Sequence, residues 1–184
     1  VFNDWYQLER DLQKIEKKVA KGVFWHSKNS SAEIKSIYKI AEEIGHNVEV
    51  HLITTDTVLS VLAAKLIKRW FDGKSHSPVT QVDFDFGEND IDREHQQQTS
   101  KHIVRHLHFN NAYDYQKGIQ NLQQLLHQEV GLAQRENKRV YLNITAGYKA
   151  ITPIVTMFAQ TQKIPLLYMY DEYKSKSANP LISY

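Results

Sequence analysis

The chain has 184 residues, enough for one domain with a substantial core, and its 41% hydrophobic and 24% charged residues form an ordinary globular profile. Its 23 basic and 21 acidic side chains leave a net charge of +2, a small excess for gripping a long nucleic acid, so any nucleotide ligand is expected to be small and locally held. There is no cysteine, which excludes disulfide frameworks, thiolate zinc sites and cysteine nucleophiles and fits a reducing compartment.

No stretch approaches the roughly 18 apolar residues of a membrane span, and no signal peptide is visible, so a cytoplasmic location is expected. The chain opens on Val1 and runs at once into a helical pattern. Trp5, Leu8, Leu12, Ile15 and Val19 form an apolar stripe from Asp4 to about Ala20, packed on the rest of the domain, and Gly22 stops it. Residues 1–22 are therefore read as an N-terminal connector helix and 23–184 as the ligand-binding domain. The basic run Lys14 to Lys21 lies on the exposed face of that helix.

After a polar loop at His26 to Ser30, Ser30 or Ser31 is placed to cap a second helix. Glu33 stands in its first turn, its stripe is Ile34, Ile37, Tyr38, Ala41 and Ile44, and it ends at Gly45. Val48 to Ile53 reads as a strand and Thr54–Thr57 as a turn. A third helix follows with Leu59, Leu62, Ala63, Leu66, Ile67 and Trp70 inward. Pro78 to Phe86 is a further strand. The polar, His-rich stretch Gly87 to Asn111 is expected to be a long loop or lid with a short helix near His102–Leu107. Tyr115 to about Gln134 is helical, with Ile119, Leu122, Leu125, Leu126 and Val130 inward. Arg139 to Ile144 reads as a strand, Thr145–Lys149 as a turn, Ala150 to Gln162 as a helix with Pro153 in its first turn, and Leu166 to Tyr170 as a strand before a turn-rich tail. This alternation predicts an α/β fold, Rossmann-like, with a mainly parallel sheet and helices on both faces.

In such a sheet ligands bind outside the carboxyl ends of the strands. The two strand–turn–helix junctions offer an anion hydroxyls, backbone N–H groups at helix starts and one lysine. Gly147 lets the backbone approach a ligand closely, and Lys149 sits in a first helical turn, where the dipole disfavours a cation unless an anion accompanies it. Spacing leaves two readings open: a nucleotide site, or Thr55, Asp56 and Thr57 as simple caps with Lys149 solvated.

Leu52-Ile-Thr-Thr-Asp-Thr-Val-Leu-Ser60 and Asn143-Ile-Thr-Ala-Gly-Tyr-Lys-Ala150 resemble the two signatures of CRISPR-associated Rossmann-fold (CARF) domains. Ser31-Ala-Glu33 resembles the branch that includes the standalone ring nucleases. The resemblance runs from about Ser30 to Glu172. It implies a homodimer that binds a cyclic oligoadenylate messenger of type III CRISPR antiviral defence, most often cyclic tetraadenylate, across its two-fold interface. The ligand-binding residues it implies are Ser31, Glu33, Thr54, Thr55, Asp56, Thr57, Asn143, Thr145, Ala146, Gly147, Tyr148 and Lys149, with no cofactor, no metal and no long nucleic acid. The sequence departs from the family in two places. Thr-Ala-Gly-Tyr-Lys stands where Thr-Gly-Gly-Phe-Lys is usual, and the family's first strand with its Gly-Thr-Ser turn has no counterpart before Ser31. Ring cleavage relies partly on that turn together with the lysine matching Lys149, so the second departure weighs against catalysis more than against binding.

The leading expectation is therefore a sensor that signals to an effector element preceding Val1, with a transmembrane effector suited by Lys14, Lys17, Lys18 and Lys21. The alternative is a standalone ring nuclease in which Lys149 is catalytic. A dinucleotide enzyme is disfavoured by the lack of Gly-x-Gly-x-x-Gly. His95, His102, His106 and His108 read as a solvated lid and not as metal ligands. The Arg69–His76 pair, which superficially matches that of HEPN ribonucleases, straddles a helix end and is discounted.

Overall fold

The structure, a computed structural model, describes residues 13–15, 17, 18, 31–45, 47–74, 77–86, 101–107, 112–145, 149–169 and 181–183. Most of the connector helix, most of the His-rich stretch, His76 and Ala146–Tyr148 lie outside these. Of the first helix, residues 13–15, 17 and 18 are helical, and Ile15 is 40% exposed despite its place in the expected inner stripe.

Helix α1 spans Ala32–Ile44. Its start and stop are local chemistry. The Ser31 hydroxyl accepts from the Ile34 N–H at 3.2 Å, Glu33 faces the positive end of the dipole, and Gly45 takes φ 69°, which a side chain would resist. Strand β1 (Val48–His51) and the short β2 (Thr54–Thr55) are two parts of one extended run. They have different partners: β1 pairs in parallel with β3 (Val79–Asp83), and β2 with β4 (Ile103–Val104).

That second pairing corrects the expected short helix at His102–Leu107. Once β3 ends, the Thr54 and Asp56 N–H groups need acceptors, and the His102 and Val104 carbonyls provide them at 2.7 and 3.2 Å. Ile103 and Val104 are β-branched and buried at 4% and 1% exposure, so the segment is core and not lid.

Helix α2 (Val58–Asp72) buries Val61, Ala64, Ile67, Trp70 and Phe71. The expected inward stripe is thus rotated, and Leu59 stands 76% exposed. The helix is apolar around much of its girth, so its large aromatics set the rotation. Tyr38, Trp70 and Phe71 form a cluster with ring centroids 4.8–5.9 Å apart.

Helix α3 is the long Ala112–Arg135. Strand β5 (Leu142–Asn143) follows, then a 3-10 turn at Lys149–Ile151, helix α4 (Thr152–Gln162) and strand β6 (Leu166–Met169). β5 and β6 are parallel, and β7 (Leu181–Ser183) adds an antiparallel edge to β6, where a turn-rich tail was expected.

Side-chain alternation along the strands sorts the core into two faces. Val48, Val50 and Leu52 pack with α1 and α2, while Ile53, Val104, Leu142 and Leu166 pack with α3 and α4. The fold is α/β and Rossmann-like, with helices on both faces of short, mainly parallel strands. Among the described residues no helix is long and apolar enough to cross a membrane.

Candidate functional site

The carboxyl ends of β2, β4 and β5 carry the residues on which a ligand site would be built. After β2, Thr57 caps α2: its hydroxyl accepts from the Ser60 N–H at 3.4 Å, and the Ser60 hydroxyl accepts from the Thr55 N–H at 3.1 Å. This reciprocal cap fixes the chain's exit angle. The Thr55 and Thr57 hydroxyls lie 3.0 Å apart. Thr54 is 8% exposed and its hydroxyl donates to the His102 carbonyl at 3.3 Å, so it serves the sheet. Asp56 turns to the neighbouring strand end, where its Oδ2 accepts from the His106 N–H at 3.1 Å.

The end of β5 is tied to α1. Asn143 donates from Nδ2 to the Ser36 hydroxyl at 2.9 Å, and Ser36 donates to the Glu33 carbonyl at 3.0 Å. Asn143 Oδ1 accepts from the Thr145 N–H at 3.0 Å, and the Thr145 hydroxyl accepts from the Met169 N–H at 2.9 Å. Asn143, Thr145 and the Glu33 carbonyl are thereby linked through Ser36, while Ser31 serves as the cap of α1. Lys149 is exposed at the start of the 3-10 turn that leads into α4, and no side chain caps that helix. Ala146, Gly147 and Tyr148 fall outside the described residues.

Helix α3 braces the turn after β4, to which Asp56 is bonded, and the 3-10 turn after β5. The Tyr115 hydroxyl donates to the Ala150 carbonyl at 3.3 Å, and Asn121 Nδ2 donates to the Arg105 carbonyl at 3.1 Å. Gly118 lies against the backbone of His106 and Leu107: a Cβ there would fall 2.6 Å from the His106 carbonyl carbon and 2.7 Å from the Leu107 Cα. His106 takes φ 63°, a left-handed conformation that costs a non-glycine residue about 1–2 kcal/mol and persists where the surroundings fix it. Sequence reading missed this brace. A glycine within the periodic run of Tyr115–Gln134 was its one visible sign.

A second polar cluster lies on β1 and β3. His102 is 3% exposed, which corrects its reading as part of a solvated lid. Its Nδ1 donates to the Leu52 carbonyl at 3.1 Å, and its Nε2 lies 3.5 Å from Asp83 Oδ1. Burial holds the His102 imidazole below its usual value of 6.5, against the pull of Asp83. Burial pushes Asp83 up, but the hydrogen bond from Lys101 and the charges of His102, Lys101 and His51 outweigh it and hold the carboxyl low. His51 Nδ1 bridges Asp83 and Glu129 of α3 at 3.5 and 3.1 Å. Because His102 is more acidic folded than unfolded, the unfolded chain takes up its proton first as pH falls. Its contribution to stability is therefore present above about pH 6.5 and is lost as the pH drops through that value, with a limiting slope of about 1.4 kcal/mol per pH unit. Thermal unfolding from pH 7.5 to 5.5 should show this loss, and H102Q should show a flatter profile. An unchanged profile in H102Q would mean that His102 is not the group responsible.

A cavity of about 350 Å³ opens beside the start of β6, lined by Thr156, Ala159, Gln160 and Ile164–Leu166. It contains no residue of the two turns. Among the described residues of the carboxyl edge, Thr57, Asn143 and Lys149 are exposed.

The fold alone does not assign a function, since one α/β architecture carries many. The sequence profile of the CRISPR-associated protein (Cas_APE2256) family matches residues 28–177, and the chain belongs to that family, with a role in CRISPR defence. No curated protein matches it.

Proposed function

We propose that this protein is a sensor of cyclic oligoadenylate, with cyclic tetraadenylate as its ligand. The ring is held where two protomers bring their Thr54–Thr57 and Thr145–Lys149 turns together. One observation carries the reading: α3 braces the 3-10 turn that Lys149 opens and the β4 turn to which Asp56 is bonded, and Lys149 stands exposed there. An anion beside Lys149 would offset the cost of a cation near the positive end of the α4 dipole. Asp56 would repel a phosphate, but its carboxylate is turned to the His106 N–H. Asn143 and Thr145 act chiefly by fixing the second turn against α1, which Ser31 caps and whose Glu33 carbonyl holds Ser36, and Ala146, Gly147 and Tyr148 belong to that turn in sequence.

The exposure of Thr57, Asn143 and Lys149 fits a ring held between two copies. Leu59 and Met157, on the helices that follow the two turns, are 76% and 68% exposed and supply apolar area for such a contact. In this reading residues 23–184 are the sensing domain, working in the cytoplasm, and residues 1–22 connect it to an effector, with a membrane effector as one form.

The test is Lys149. K149A should weaken binding of cyclic tetraadenylate by about 1.5–3 kcal/mol, the scale of a charge-assisted hydrogen bond, and K149R should recover part of that. Unchanged affinity in K149A for every cyclic oligoadenylate would remove Lys149 from the site. Linear products during the titration would point to the ring nuclease instead.

A further inference from the structure

The two turns named so far leave one strand end at the same edge without a role. Strand β4 pairs in parallel with β2, with Thr55 opposite Val104. Arg105 therefore leaves the sheet beside Asp56, in the row where a ligand would lie.

We propose that the Arg105–His106 turn is a third wall of the ligand site, in which Arg105 donates to a phosphate of the bound nucleotide. This rests on the reading of the protein as a cyclic oligoadenylate sensor. The turn is held from three directions. Asp56 Oδ2 accepts from the His106 N–H at 3.1 Å, Asn121 Nδ2 donates to the Arg105 carbonyl at 3.1 Å, and Gly118 admits the backbone of His106 and Leu107 against α3. His106 is left-handed at φ 63° within this grip. A connection between a strand and a helix does not need that degree of fixation, whereas a ligand contact does. The chemistry also fits. A guanidinium presents a rigid fork of donors that matches phosphate oxygens, and Arg105 is half-buried, so less of its freedom remains to be lost on binding. Its neighbour His106 engages the Asp56 carboxylate through its N–H, turning the nearest negative charge away from an incoming phosphate. Arg105 and Lys149 would then supply cations from the two turns that α3 braces, one after β4 and one after β5.

The experiment is calorimetric titration of the full chain with cyclic tetraadenylate, using wild type, R105A, R105Q, K149A and K39A. R105Q keeps the packed stem, so it reports on the guanidinium even where R105A fails to fold. R105Q and R105A are expected to bind about tenfold or more weakly, close to K149A, with the melting temperature of each variant measured alongside so that affinity is compared only between folded proteins. K39A, whose lysine pairs with Glu43 on α1, should bind within about twofold of wild type. Binding by R105Q within about twofold of wild type, while K149A loses affinity, would overturn the role of Arg105 and leave the sensor reading intact. Absence of binding by wild type would overturn both.

Discussion

Replacing Gly118 with alanine is expected to destabilise the protein by about 2–4 kcal/mol, although alanine is the better helix former. Two effects compete. In an ordinary helix interior the exchange would gain about 1 kcal/mol from backbone entropy. Here the new Cβ would meet backbone atoms of His106 and Leu107 at 2.6 and 2.7 Å, and backbone cannot rotate aside as a side chain can. Helix α3 and the turn would have to part. That would stretch the Asn121–Arg105 and His106–Asp56 hydrogen bonds and loosen Leu107, which is 3% exposed. Overpacking and weakened buried hydrogen bonds together outweigh the propensity gain. For a chain of this length each kcal/mol corresponds to about 2–4 °C, so a fall of roughly 4–16 °C in Tm is expected. A variant as stable as wild type would show that the turn does not press on α3.

Leu125→Ala should cost a comparable amount, about 2–5 kcal/mol, by a different route. Leu125 is 1% exposed, within the cluster that joins α3 to Phe158 and Ala159 of α4 and to Leu166 of β6. Truncation removes its transfer energy and leaves a cavity between two helices and a strand that cannot readily close it. Denaturant titration with an unchanged m-value would isolate the stability term. A loss under about 1 kcal/mol would indicate that the α3 and α4 face is loosely packed. Because α3 holds the 3-10 turn that Lys149 opens and the β4 turn, the same variant should also weaken ligand binding where it remains folded.

Much of this architecture was legible in the residues because its signals are local. Ser31 with Glu33, Thr57 and Gly45 mark helix ends through hydrogen bonds and backbone angles spanning only a few positions. The inward positions of α3 followed from its 3.6-residue period, since one face is apolar and the other polar. Helix α2 has no such contrast, so Leu59 was expected inside, whereas Tyr38 on another helix and the strands beneath set its rotation. The reading of His102–Leu107 failed for a related reason. A polar stretch with two β-branched residues becomes a strand because the N–H groups of Thr54 and Asp56, far away in sequence, find their acceptors in it. His102 was read from polar neighbours in sequence, but the Leu52 carbonyl and Asp83 hold it in the core. The candidate site followed the same division. Its turns could be read from strand–turn–helix grammar, while the brace from Tyr115, Gly118 and Asn121 arises from tertiary contacts across α3.

The ligand proposal stands or falls on how a cyclic oligoadenylate meets the edge formed by β2, β4 and β5. Calorimetry of the wild-type chain with cyclic tetraadenylate measures this most directly, because it returns affinity and stoichiometry together. One ring per two chains, with the heat much reduced in K149A, is the expected result. No binding, or one ring bound per chain with sedimentation showing a liganded monomer, would contradict it.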